Sequence, residues 1–205
     1  MANVRLPLFP LNVVLLPGAD LPLHIFEPRY RQMVRECLDN QSPFGMLLAL
    51  PDGVAGIGCT AEILEVTKRY RDGRFDIVTV GRSPFRAVEL FENEPLLRGD
   101  VDYLEDRPLP ANPCISKELT DLYETCHTLI FGDYPRDVGA ADSRISYSIA
   151  AKLPMDLLWK QRILETRSET ERQERLVAYL REWAPLLQKN TVLRAHAVGN
   201  GHGLN

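Results

Sequence analysis

The chain has 205 residues, 45% of them hydrophobic and 25% charged, with a formal net charge of −4. That is enough for one large domain or two small ones with a sizeable core, and the acidic balance excludes a global attraction to nucleic acid. Four cysteines, Cys37, Cys59, Cys114 and Cys126, have no paired spacing and read as reduced thiols of a cytoplasmic protein rather than a disulfide framework.

The apolar opening, MANVRLPLFPLNVVLLPGADLPLHIF, is interrupted by Pro7, Pro10, Asn12, Pro17 and Asp20. It fits neither a secretory signal nor a membrane-spanning helix, which needs about 20 apolar residues. Leu6 to Phe9, Val13 to Leu16 and Leu21 to Phe26 instead predict three short strands, separated by Pro10 and by Pro17-Gly18. Pro28 then starts a helix running to about Leu38, since proline at the first helical position loses no hydrogen bond. Glu27 stands where negative charge favours a helix N-terminus, and Arg29 and Arg31 read as solvated. Phe44 to Leu50 is a further apolar strand.

Cys59 to Tyr70 and Arg74 to Val80 face each other across Arg71-Asp72-Gly73, and an Asp-Gly pair is a strong hairpin signal. Ile63 and Leu64 are adjacent, as are Ile77 and Val78, so the apolar residues do not keep to one face. That pattern predicts a curled sheet or partial barrel. Phe85 to Phe91 continues the strand character past Pro84, and Leu96 to Leu104 supplies a last strand. Arg107 to Pro113, with three prolines, is the natural boundary.

Helices follow. Ser116 can cap the first, whose apolar residues include Leu119, Tyr123 and Cys126 at helical spacing. Residues 132–142 read as a loop. Ile145, Ile149 and Leu153 mark a second helix ended by Pro154, and Asp156 to Leu164 a third. Ser168-Glu169-Thr170-Glu171 has the capping-box pattern, opening a helix striped by Leu176, Leu180, Trp183 and Leu187. Pro185 is expected to kink or end it. The expected organisation is a β-rich domain over 1–107, a subdomain of about four helices over 114–190, and a flexible tail over 191–205.

Two stretches carry a family likeness. LPLFPLNVVLLPGADLPLHIFEPRYRQMV (from Leu6), with GIGCTAEILEVTKRYRDGRFDIVTVGRSPFRAVEL (from Gly56), is followed by SIAAKLPMDLLWKQRILETRSETERQERLVAYL (from Ser148). In this order they resemble the N-terminal substrate-binding domain of the ATP-dependent Lon protease. The resemblance implies an α+β fold: a PUA-like β pseudobarrel with one helix, then a helical bundle. It also implies a module that engages unfolded polypeptides or protein partners through apolar and main-chain contacts, without a cofactor. No G-x-x-x-x-G-K-[ST] phosphate loop is present, so neither ATPase nor peptidase activity is carried over, and a free-standing Lon-N-like protein is the expectation.

Candidate contact residues for a polypeptide are His24, Phe26, Tyr30 and Phe85, at the rim between barrel and helix. A basic hairpin on a PUA-like fold offers an alternative. Lys68, Arg69, Tyr70, Arg71 and Arg74 could hold an RNA backbone and stack a base. Catalytic and metal sites are not expected. Ser148 and Lys152 share a helix face but have no oxyanion-hole element beside them. Cys126-His127 with Cys114 lacks the paired spacing of a zinc site, and Cys126 falls on an apolar stripe. Asp100 and Asp102 belong to an exposed acidic edge with Glu92, Glu94, Glu105 and Asp106.

Overall fold

The computed structural model of the chain describes residues 4–91, 95–107, 112–135 and 144–199, with side chains described to residue 189. Seven strands and five helices are present among them: β1 (Val4–Leu11), β2 (Asp20–Ile25), α1 (Pro28–Asn40), β3 (Phe44–Leu50), β4 (Gly53–Val54), β5 (Ile57–Arg69), β6 (Phe75–Phe91), β7 (Arg98–Tyr103), α2 (Pro113–Phe131), α3 (Ile145–Lys152), α4 (Leu157–Glu165) and α5 (Glu169–Gly199). The class is α+β with a mainly antiparallel sheet. Its pairings β1–β7–β6–β5–β3 close through a parallel β1–β3 contact into a five-stranded ring. Among the described residues β2 joins only β6, and β4 only β3.

Several boundaries differ from the sequence expectation. Val13 to Leu16 forms no strand. Val14, Leu15 and Leu16 are buried in a loop that turns at Gly18 (φ +79°) and bonds to Gly81. Their apolar run reflects burial, not a period-2 pattern. Arg74–Val80 and Phe85–Phe91 are one continuous strand, β6, because Pro84 lies opposite Cys59 beside a register shift where the ladder is already irregular. Its first half pairs with β2 and β5, its second with β5 and β7.

The helix ends were only partly anticipated. α1 does begin at Pro28, but the Glu27 carboxylate binds Arg29 at 2.9 Å instead of a backbone N–H. Asn112, not Ser116, caps α2, its side chain accepting from the Cys114 N–H, with Pro113 in the first turn. Ser168 caps α5 as expected, accepting from the Glu171 N–H. α5 runs through Pro185 to Gly199. Pro185 and Arg181, whose carbonyl loses its helical donor, are both exposed, so water can serve that carbonyl. The tail expected over 191–205 is therefore helical to Gly199, and 200–205 lies outside the described residues, as do Glu92, Glu94 and positions 108–111 of the proline-rich boundary.

One core spans the chain. Phe9, Ile25, Phe44 and Ile77 of the sheet and Met33 of α1 cluster with Tyr123, Ile149, Leu164 and Leu180 of the later helices. Gln161 of α4 donates to the Ile57 carbonyl of β5 at 2.9 Å. A smaller cluster of Leu6, Leu8, Leu47, Phe85 and Val101 fills the other side of the sheet.

The segment after β7 is held to the helices by Arg172, whose side chain has 0% exposure. Its guanidinium donates to both Asp106 oxygens (2.9 and 2.6 Å), to Glu169, to Ser146 Oγ and to the Thr166 carbonyl, and lies 4.1 Å over the Tyr147 ring. Burial opposes ionisation of Asp106, but Arg172 and the neighbouring Arg167 and Arg144 outweigh it and hold the carboxyl below its ordinary value of 3.8. A carboxyl depressed on folding adds stability that is fully present above its unfolded pKa and lost as pH falls through its folded value. Urea midpoints measured from neutral pH downward should therefore fall below about pH 4. Asp106→Asn should flatten that acid limb while lowering stability at neutral pH.

Candidate functional site at the hairpin end of the barrel

The β5–β6 hairpin projects beyond the closed ring, with β2 lying along its β6 side. Its turn, Arg71 to Gly73, is closed by the Tyr70 N–H to Arg74 carbonyl bond (3.0 Å), with Gly73 at φ +87°. A left-handed glycine is what such a three-residue loop requires. α1 supports the turn from below. Arg31 donates to the Asp72 carbonyl at 2.5 Å, and a Cβ on Gly73 would stand 3.0 Å from the Arg35 guanidinium. Arg31 is thus a structural partner of the hairpin.

Strand register brings residues distant in sequence onto one surface. His24 on β2 and Lys68 on β5 both lie opposite Asp76 on β6. His24 Nδ1 donates to Asp76 at 2.5 Å, and the Tyr70 hydroxyl donates to its other oxygen at 2.7 Å. These hydrogen bonds, that of His24 first, hold the Asp76 carboxyl below the usual carboxylate range. His24 also stacks on Phe26 (6.1 Å between centroids) and meets the edge of Tyr70 (5.7 Å). Phe26 is 60% exposed. The result is an aromatic surface of Phe26, His24 and Tyr70 fixed by one carboxylate and rimmed by cations.

Of the four residues expected to contact a polypeptide, the structure brings two together. His24 and Phe26 share this surface. Tyr30 is only 7% exposed, its ring 4.0 Å from Phe9, because the first turn of α1 points it into the core. Phe85 is fully buried in the smaller cluster, where its ring packs against Gly45 and Gly58. Neither presents a contact to solvent. Asp76 carried no signal in its own neighbourhood; only the β2–β6 register reveals it.

The basic residues converge on the same surface but are largely engaged by the hairpin itself. Lys68 and Arg74 lie 4.6 and 4.8 Å from the Tyr70 ring centre, so the protein's own cations occupy the aromatic expected to stack a base. Arg74 pairs with Asp72 at 2.8 Å, Arg69 lies over Phe75, and Arg71 is exposed in the turn.

Other candidates dissolve into the scaffold. Cys126 is buried, and burial pushes its thiol up to about 11, as it does Cys37, with Cys59 reaching about 12; none is a nucleophile at neutral pH. No group of metal-ligating side chains occurs among the described residues. Ser148 is half-buried and Lys152 exposed at the end of α3. Asp100 binds Arg5 at 2.8 Å. Among the described residues no helix is long and apolar enough to cross a membrane.

Residues 5–182 match the family described as the ATP-dependent protease La (LON) substrate-binding domain. The chain belongs to the Lon substrate-binding domain family. This Lon-type domain is 24% identical over 199 residues to the Lon protease of Dictyoglomus thermophilum, covering 89% of the chain and 25% of that protein. It is 30% identical over 137 residues to protein cereblon of Danio rerio, covering 60% of the chain and 32% of that protein. It therefore spans a third or less of these relatives. Among solved structures, the Lon N-terminal domain protein from Xanthomonas campestris superposes with a TM-score of 0.67 at 28% identity, over 86% of this chain and 98% of that one. The N-terminal domain of the Mycobacterium avium complex Lon protease gives 0.61 at 17% identity over the same shares, a likeness of fold alone.

Proposed function

We propose that this Lon-type domain is a binding module for unfolded polypeptide segments, and that the segment lies across Phe26, His24 and Tyr70. The observation that carries the reading is Phe26, a largely exposed aromatic beside the open edge of β2. An apolar side chain beside a strand edge offers the two contacts an extended chain can use, side-chain burial and main-chain pairing. Pro22 removes one donor from that edge, which limits self-association and keeps main-chain pairing short. Lys68 and Arg71 bias the surface toward segments that carry acidic residues. The other exposed aromatics among the described residues are Tyr103 on β7, less exposed than Phe26, and Phe131 and Tyr134, which precede the undescribed residues 136–143.

The test is fluorescence anisotropy with a labelled, permanently denatured polypeptide. Phe26→Ala should weaken binding roughly 5- to 30-fold, the loss of about 1–2 kcal/mol of apolar contact, and leave the urea midpoint unchanged because the ring is exposed. Binding that disappears entirely by ~0.2 M salt would contradict an apolar mode, since only exposed charge pairs are screened that strongly.

A further inference from the structure

We propose that a second site, the cleft between the end of α4 and the start of α5, binds a phosphoryl dianion. The cleft is separate from the hairpin surface and has a volume of about 320 Å³. Arg107, Arg162, Arg167 and Arg175 line it together with Thr166 and two carboxylates, Glu165 and Glu171. Four guanidiniums against two carboxylates leave an excess of two positive charges in a protein whose net charge is −4. That excess matches a dianion better than a single carboxylate.

Among the described residues, three of the arginines that share this one cleft are not neutralised by carboxylates of their own, as is also true of Arg69, Arg71 and Arg86 elsewhere. Arg107, Arg162 and Arg175 have no carboxylate partner among the described residues, whereas Arg5, Arg74, Arg82, Arg98 and Arg181 each bind one. Arg162 lies 5.2 Å over the Trp159 ring, which fixes its plane and leaves its N–H edge to donate. Arg167 is anchored from behind by bonds to Tyr147 and to the Leu164 carbonyl. Its Nη1 is buried with no hydrogen-bond acceptor, and the nearest carboxylate, Asp106, stands at 3.8 Å, beyond hydrogen-bonding reach. The planar fork of arginine matches phosphate geometry, and the exposed Arg162 and Arg175 present theirs at the cleft. The volume far exceeds the ~10–15 Å³ that a single water needs, so there is space for the group to which a phosphoryl is attached.

The experiment titrates the protein with a short phosphoserine peptide and with inorganic phosphate at low salt, by calorimetry and by the NMR signals of the arginine side-chain N–H groups. The site predicts shifts of the Arg167 guanidinium signals with both probes. It also predicts a loss of affinity of roughly tenfold or more in the double variant Arg162→Gln/Arg175→Gln. Both residues are exposed, so the variant should keep its circular dichroism. Tighter binding of the phosphopeptide identifies a phosphorylated chain as the source, and equal binding identifies free phosphate. Arg86→Gln, an exposed residue of β6 that belongs to neither surface, should change nothing. The proposal is overturned if neither probe moves the Arg167 signals, or if a peptide with glutamate in place of phosphoserine binds as well. Equal losses in the Arg86→Gln control would overturn it too, because they indicate unspecific charge attraction.

Discussion

Arg172→Met lowers the unfolding free energy by about 3 kcal/mol, at the lower end of what removing one partner of a buried ion pair costs. For a chain of this size that corresponds to roughly 6–12 °C in Tm. Arg172 is fully buried and serves Asp106, Glu169, Ser146 and Thr166 at once. Deleting it leaves two carboxylates facing each other and several acceptors without donors. The loss is not larger because Asp106 and Glu169 keep side-chain exposures of 31% and 22%, so water can reach them. Arg172→Lys keeps the charge but loses the planar fork and its stacking on Tyr147, and should still cost about 1–2 kcal/mol. In the Arg172→Met background, Asp106→Asn with Glu169→Gln should recover part of the loss, since the repulsion disappears. Urea unfolding of the four proteins separates these terms. A loss below about 1 kcal/mol for Arg172→Met would mean that the network is only a solvated surface pair.

Phe85→Ala is expected to cost about 3–5 kcal/mol, the range for truncating a fully buried aromatic. Its ring fills the space that Gly45 and Gly58 leave open: a Cβ on either glycine would come within 2.8 Å of the ring. Leu6, Leu8, Leu47 and Val101 complete the cluster and cannot close over the cavity without moving their strands. Phe85→Leu keeps most of the volume and should cost less than about 1.5 kcal/mol. Polypeptide binding by Phe85→Leu should equal that of the unmodified protein, because Phe85 touches no surface. If binding falls while the urea midpoint holds, the assignment of Phe85 to the core alone is wrong.

The elements with strong local signals were legible in the sequence. The Asp72-Gly73 hairpin, the Pro28 helix start and the α5 cap at Ser168 each depend on residues within one turn of each other. What the sequence hid depends on pairing between distant segments. Whether Phe85 faces a ligand or a core is decided by Gly45 and Gly58 on neighbouring strands. Whether Val13 to Leu16 is a strand is decided by the bonding of Gly18 and Gly81 across β6. The candidate surface shows the same division. His24 and Tyr70 were read as members of two rival sites, one for polypeptide and one for RNA. The β2–β6 register joins them through Asp76. Arg172 offered no signal at all, as nothing in its local sequence distinguishes a buried arginine from the exposed Arg175 one turn later.

We propose that unfolded polypeptide contacts the domain at Phe26. A photoreactive benzophenone side chain in place of Phe26, with a second protein carrying it in place of the equally exposed Leu186 on α5, tests this directly. Irradiation with a denatured polypeptide should give a crosslinked product from position 26 that excess unlabelled polypeptide suppresses, and little from position 186. Equal labelling at both positions, or labelling at 186 alone, would contradict the account.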